Sequence, residues 1–150
     1  MKYGPDGKTL ASKRYAVAEL LEDCENRPQG HSKKLGANII RLELKRRPNH
    51  VEAHHIVSST AALALPSRLR IFAWHIGIND ADNGVFLPGK ANVKVRGLSK
   101  APWHRVIHTP TYHSRVYARL LQADKNEPEA GRLKLREMKV EMQRGKFRYT

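Results

Sequence analysis

Glu52-Ala53-His54-His55-Ile56-Val57 is the stretch whose reading decides the fold. Two adjacent histidines sit in an apolar, β-prone run, and successive residues of a strand point to opposite faces. His54 and His55 therefore cannot share one task. Such a pair suits a division of labour in which one imidazole holds a divalent metal and the other takes a proton from water. A metal held by one imidazole still needs two or three further ligands. The remaining dense supply of histidines is His104, His108 and His113.

The best-punctuated helix start in the chain brings that supply to order. Thr109 is an N-cap, Pro110 occupies the first helical position, and Tyr112, Val116 and Leu120 follow at i+4 spacing. This register puts His108 at N′ and His113 at N4, the two positions that meet in a hydrophobic staple, so both imidazoles can reach one point. His104 and His108, four apart, would serve if the helix began earlier, but Pro110 argues against it. His108 and His113 thus rank above His104 as ligands. Upstream, Asn79-Asp80-Ala81-Asp82-Asn83-Gly84 is a dense turn signal, and Val85-Phe86-Leu87 reads as a short strand stopped by Pro88-Gly89. Asn83 has two compatible readings. Asn-Gly tolerates left-handed backbone angles, and the Asn83 amide can also tie the loop after His55 to the second strand, fixing that histidine's position.

At 150 residues and 40% hydrophobic content the chain suits one core and a single domain, residues 1–150. Lys plus Arg total 28 against 14 Asp plus Glu, a formal charge of +14, which favours a polyanionic partner. Nucleic acid leads over an anionic membrane, because no stretch is a basic amphipathic helix with an aromatic apolar face. The single cysteine, Cys24, excludes an intramolecular disulfide and any cysteine-rich zinc framework, and reads as a small core residue. No apolar h-region follows Met1-Lys2, and no run approaches transmembrane length. A soluble protein is expected, exported only by another system or as part of a larger parent polypeptide.

The remaining elements follow from periodicity and punctuation. Gly4-Pro5-Asp6-Gly7 breaks a turn-rich lead-in; Val17, Leu20, Leu21 and Cys24 then mark a packing helix, with Thr9 or Ser12 as caps and Arg27-Pro28 closing it. Residues 32–47 mix helical and alternating patterns. A helix is favoured, capped by Ser32 and ended by Pro48, with Lys45, Arg46 and Arg47 at its C-terminus as either a solvated end or a phosphate contact. Ser67 can cap a helix carrying Leu69, Ile71, Phe72 and Ile76, with Gly77 as its C-terminal cap and His75 a structural or surface histidine. Residues 90–106 form a long basic loop containing Lys94, Arg96, Lys100 and Arg105. Residues 123–128 are a linker, and a last helix spans about 129–144, with Leu135, Met138 and Met142 on its packing face and solvated cations elsewhere.

A strand with His-His, a connection, a strand opened by Asn-Gly and a helix bringing histidines resembles the ββα-metal, or HNH and endonuclease VII, nuclease superfamily. The resemblance is closer still to the AHH nuclease family of bacterial polymorphic toxins. It rests on Ala53-His54-His55-Ile56-Val57, on the run from Gly77 to Pro88 and on His108 with Tyr112-His113 and Val116, over residues 30–121. The N-terminal helical extension, 1–29, and the C-terminal basic helix, 122–150, lie outside it. What the resemblance implies is an α+β fold with a ββα-metal core. His54 would be a metal ligand, His55 the general base, Asn83 the residue orienting the hairpin, and His108 and His113 the ligands from the helix. The related nuclease colicins use two helix histidines four apart, which would point to His104 and His108 instead. The implied reaction is metal-dependent hydrolysis of DNA phosphodiester bonds with little sequence preference. Zn²⁺ suits three imidazoles, while Mg²⁺ or Mn²⁺ would serve where more available. Arg96, Arg105 and Arg115 are possible phosphate clamps, and Lys45, Arg46, Arg47, Lys94 and Lys100 further nucleic-acid contacts. A toxin of this family would be delivered into the cytoplasm of a target bacterium and be covered by an acidic immunity protein. A zinc-stabilised nucleic-acid-binding module without catalysis, and a ribonuclease on the same scaffold, are the alternatives.

Overall fold

The computed structural model describes residues 13–25, 30–43 and 45–150. Among these described residues five α-helices surround one two-stranded antiparallel hairpin. They are α1 (Val17–Glu25), α2 (His31–Glu43), α3 (Leu65–Ala73), α4 (Pro110–Leu120) and α5 (Pro128–Gln143), with β1 (Val51–His55) paired to β2 (Gly84–Pro88). The α+β class and the ββα core expected from the sequence are both present. No helix among the described residues is long and apolar enough to cross a membrane.

The hairpin is covered on both faces. In its register His54 faces Val85 and His55 faces Gly84, so each histidine shares its side of the sheet with its partner residue. On one side Val85 and Leu87 join the larger core with Tyr112, Val116 and Leu120 of α4 and Leu135, Met138 and Met142 of α5. On the other, Val51, Ala53 and Phe86 pack with Leu35 and Ile39 of α2. Every residue of β2 is buried, whereas β1 exposes Glu52.

Several element boundaries differ from those predicted, each for a local reason. The β-prone run that reads on to Val57 leaves the strand at His55, where the Ile56 N–H bonds to the Asn83 carbonyl (2.8 Å) and the Val57 N–H to the Asn83 side chain. Helix α2 starts at His31 and stops at Glu43, so Ser32 lies inside it and Lys45, Arg46 and Arg47 follow beyond its end. Helix α3 starts at Leu65 with Pro66 in its first turn; Ser67 is buried within the helix, its hydroxyl unpaired, and caps nothing. Its C-terminal turn is closed at Trp74 and His75 rather than at Gly77. His75 adopts φ 55°, and its Nδ1 contacts the Tyr15 carbonyl (2.8 Å), a structural role in keeping with its isolation in the sequence. In α1 only Leu20 of the expected apolar stripe is seen buried; Val17 and Leu21 are exposed. The Cys24 side chain, the lead-in, Thr9, Ser12 and Arg27-Pro28 lie outside the described residues.

The Asn-Gly pair is not a left-handed turn. Asn83 closes a 3₁₀ turn, Ala81–Asn83, and Gly84 has φ −132°, an extended conformation open to any residue. Glycine is required there by packing, since a Cβ would stand 2.5 Å from Leu35 Cδ1 and 2.9 Å from Ile39 Cδ1. The last helix also departs from the reading of a solvated cationic face. Arg132 Nη1 reaches Asp80 and Asp82 at 2.9 Å each, Arg136 makes a two-pronged contact to Asp82 at 2.9 and 3.0 Å, and Lys139 Nζ reaches the Ala81 carbonyl at 3.3 Å. Arg132 and Lys139 of α5 are thus buried, Arg136 reaches Asp82 from the exposed side, and all three bind the turn that precedes β2.

Candidate functional site

His54 and His55 leave β1 on opposite faces, as strand geometry demands, and each is met by a different helix. On the α4 side His54 is 2% exposed, and its Nε2 lies 2.9 Å from the Tyr112 hydroxyl. That hydroxyl lies 2.6 Å from the Ile56 carbonyl. A carbonyl oxygen only accepts, so the phenol proton goes to Ile56 and His54 Nε2 donates to the phenol oxygen. The lone pair of His54 is left on Nδ1.

The His108 ring lies 5.0 Å from that of His54, and His104 lies 6.1 Å from His108. One ligand atom from each of His54, His104 and His108 falls within 4.8 Å of the others. Burial is graded across this group, from His54 inside through half-buried His104 to exposed His108. His54 is held well below the usual histidine range, by burial first and by its histidine neighbours second. Burial also lowers His108, aided by His104 and His113, and it lowers His104, aided by Arg105 against the opposing charge of Glu52. Three imidazoles lowered below the usual histidine range, each with one ligand atom within 4.8 Å of the others, fit a divalent cation.

The order of preference among the downstream histidines changes here. His113 sits in the first turn of α4 as expected, but it is buried against Tyr112, 5.3 Å between ring centres, and stands outside the three-histidine group. His104 enters the group without any helix. Its N–H bonds to the Pro88 carbonyl at the end of β2 (3.0 Å), and the turn from Trp103 to Val106 then carries the chain round to His108. Helical spacing could not find this, because residues 104–108 are not helical. The start of α4 itself forms as predicted, with Thr109 Oγ1 accepting the Tyr112 N–H at 3.1 Å.

On the α2 side, His55 Nε2 lies 2.9 Å from Asn79 Oδ1, and Asn79 Nδ2 lies 2.9 Å from His31 Nδ1. Burial brings His55 down to about 4, against the raising effect of the Asn79 bond, with His31 and His108 adding to the fall. The ring is therefore neutral at physiological pH and able to accept a proton. The Asn83 side chain makes no hydrogen bond to it. Its Oδ1 accepts from Val57 N–H at 2.8 Å and its Nδ2 donates to the carbonyls of Val57 (3.1 Å) and Ile78 (2.8 Å), tying the loop after His55 to the turn before β2. Asn79, His31 and Tyr112 were not singled out as site residues from the sequence. Asn79 lay in the motif run, but nothing local marked its side chain as the partner of a histidine 24 positions away.

The cationic side chains divide. Arg105 is exposed and stacks over Trp103 at 6.0 Å, close enough for its charge to depress His104. Arg96, Lys94, Lys100, Lys45 and Arg46 are exposed. Arg115 lines a cavity of about 260 Å³ with Arg119, Lys146 and Arg148. Arg47 is turned back on the hairpin, donating to the Val51 carbonyl at 2.7 Å and lying 5.4 Å over the Phe86 ring. Arg68, unmarked in the sequence, anchors the loop after β1 through the Ser58 and Ala61 carbonyls and sends its charge toward His113.

A buried hairpin followed by a helix, with imidazoles from the strand and from the approach to the helix converging on one place, defines the ββα class of nuclease scaffold. Residues 35–142 match the AHH family, a nuclease family of the HNH/ENDO VII superfamily with conserved AHH. The chain belongs to that family and is a nuclease of that superfamily. The match runs past residue 121 into α5, which the sequence resemblance had left outside. No curated protein and no solved structure matches the chain.

Proposed function

We propose that the protein is a divalent-metal-dependent endonuclease that hydrolyses DNA with little sequence preference and acts as a toxin domain against bacteria. The observation that carries this is the meeting of His54 with His104 and His108, with a second histidine, His55, next to His54 on β1 and in electrostatic reach of His108. His54, His104 and His108 would hold the ion. Bound there, a divalent cation supplies Lewis acidity that neutralises phosphate charge and stabilises the departing 3′-oxygen. His55, its Nε2 engaged by Asn79, takes a proton from the attacking water through Nδ1. Asn83 keeps the loop after His55 fixed to the second strand, and Arg105, beside His104, is the side chain best placed to clamp the scissile phosphate. Exposed Arg96, Lys45, Arg46, Lys94 and Lys100, with Arg115, meet flanking phosphates, giving salt-dependent binding that carries little sequence information.

Among the described residues three histidines gather, and a site of three protein ligands keeps a position open, where a closed structural zinc site takes four protein side chains; this supports catalysis over a structural module. His113 stays the alternative ligand from α4. Zn²⁺ fits the imidazole set best, and Mg²⁺ or Mn²⁺ serves where it is more abundant. The +14 charge would draw an acidic immunity protein over the same surface, and delivery by a secretion system or a longer parent polypeptide would bring the domain into a target cell.

The test is supercoiled plasmid with Mg²⁺, Mn²⁺ or Zn²⁺, then with chelator, alongside metal content of wild type, His54→Ala, His104→Ala, His108→Ala and His113→Ala. Nicking that needs metal and disappears in His55→Ala, with bound metal lost on changing His54, His104 or His108, is the expected result. Retention of DNA without nicking would instead establish a binding module. A parallel RNA digest separates the two nuclease substrates, and inhibition by an acidic protein encoded beside this chain tests the immunity partner.

A further inference from the structure

The hydrogen-bonded line from His31 through Asn79 to His55 has a consequence for which nitrogen does the chemistry. Both of its links are 2.9 Å, His31 is 4% exposed, Asn79 is 5% exposed, and the rings of His31 and His55 meet edge to face at 6.3 Å. A carboxamide presents an acceptor on one side and donors on the other. Its two orientations impose opposite tautomers on the rings it joins. With Oδ1 toward His55, that ring carries its proton on Nε2 and leaves Nδ1 bare. The same orientation aims Nδ2 at His31, which must then offer a bare Nδ1. The reversed amide would need a proton on His31 Nδ1 and would leave His55 with a protonated Nδ1 and no free lone pair to use.

We infer that His31 and Asn79 are positioning residues for His55: His31, acting through the Asn79 amide, fixes His55 as the Nε2–H tautomer and so makes Nδ1 the proton-accepting atom. This rests on the reading of His55 as the base. His31 lies before residue 35, where the family match begins, so the device extends beyond the matched residues.

The experiment reads tautomer and rate separately. Ring nitrogen shifts of His55 are recorded by long-range ¹H–¹⁵N NMR on the free protein, and kcat and KM for plasmid nicking are measured on wild type, His31→Phe, and His31→Phe combined with Asn79→Asp. Wild type should show the Nε2–H form. His31→Phe keeps a ring of similar size but frees the amide to turn, so His55 should become a mixture of tautomers and kcat should fall roughly 10- to 100-fold with little change in KM. In the double variant a carboxylate, which cannot present a donor, should restore the Nε2–H form and part of kcat. An Nδ1–H His55 in wild type overturns the proposal without any variant. So does a His31→Phe protein whose His55 stays Nε2–H while kcat falls, and so does an unchanged kcat. If wild type fails to nick under every metal while the tautomer behaves as described, the fault lies with the nuclease reading and not with the hydrogen-bonded line.

Discussion

Replacing Arg132 by Met asks how much of the fold hangs on the inward cations of α5. Arg132 is 5% exposed, bridges two carboxylates that are 0% and 1% exposed, and donates through Nη2 to the Lys13 carbonyl at 2.6 Å. Asp82 keeps its two-pronged contact with Arg136 in the variant, so the group left without its cation is Asp80. Breaking a buried pair costs about 3–5 kcal/mol. Burial already raises the Asp80 carboxyl to about 7 against the pull of Arg132, so without Arg132 it rises further and the orphan can protonate. That limits the loss at pH 7 to the lower end, about 3 kcal/mol, or a fall in Tm of about 6–12 °C. The sign with pH follows. Between the unfolded value of about 3.9 and about 7 both folded proteins keep the Asp80 proton and lose stability alike, whereas above about 7 only wild type releases it beside Arg132, so the gap between Arg132→Met and wild type should be flat from pH 5 to about 7 and widen above it. Urea unfolding followed by the fluorescence of Trp74, which is buried against Gly131 of α5, measures it directly. Adding Asp80→Asn should recover most of the loss. A loss below about 1 kcal/mol would mean that α5 is the solvated helix its sequence suggests.

Gly84→Ala should destabilise the protein by about 1–3 kcal/mol through overpacking against Leu35 and Ile39, with no backbone strain, and Leu35→Ala in the same chain should relieve part of it. Chemical denaturation checks this, and a neutral Gly84→Ala would show that α2 does not sit against the hairpin as described. Asp82→Asn probes the other carboxylate of the cluster. Burial pushes Asp82 upward, but its bonds to Arg136 and Arg132 outweigh burial and hold it below the usual carboxylate range. Its contribution is therefore present above the unfolded pKa of about 3.9 and lost as pH falls below it, so the stability gap to Asp82→Asn should shrink under acid; a gap independent of pH between 7 and 3 would refute the assignment.

The parts of the structure written in local pattern were legible in the sequence. Thr109-Pro110 fixes where α4 begins, Val85-Phe86-Leu87 between Gly84 and Pro88 gives β2, and the alternation around His54-His55 gives two faces. What escaped was set by contacts distant along the chain. His104, in the sequence only the alternative to His113, stands with His54 and His108 because its backbone docks on Pro88, a bond no periodicity encodes. Glycine 84 looked like a turn residue because Asn-Gly so often is one, and only the arrival of Leu35 shows that missing volume is its use. Arg132 and Arg136 resemble any surface arginine until Asp80 and Asp82 are placed beneath them.

The two histidines at the end of β1 show why a local reading stops where it does. Adjacent in sequence, they belong to different cores: His54 to the one built by α4 and α5, His55 to the side faced by α2. Each receives its tautomer from a side chain of its own side, Tyr112 for His54 and Asn79 for His55, and in both the engaged atom is Nε2. A strand offers its two faces at no separation along the chain, which is what lets one dipeptide meet two different helices. Its nitrogens are then engaged by residues 58 and 24 positions away, so the motif announces two imidazoles on two faces while only the packed fold says which atom of each is bonded and which is left free.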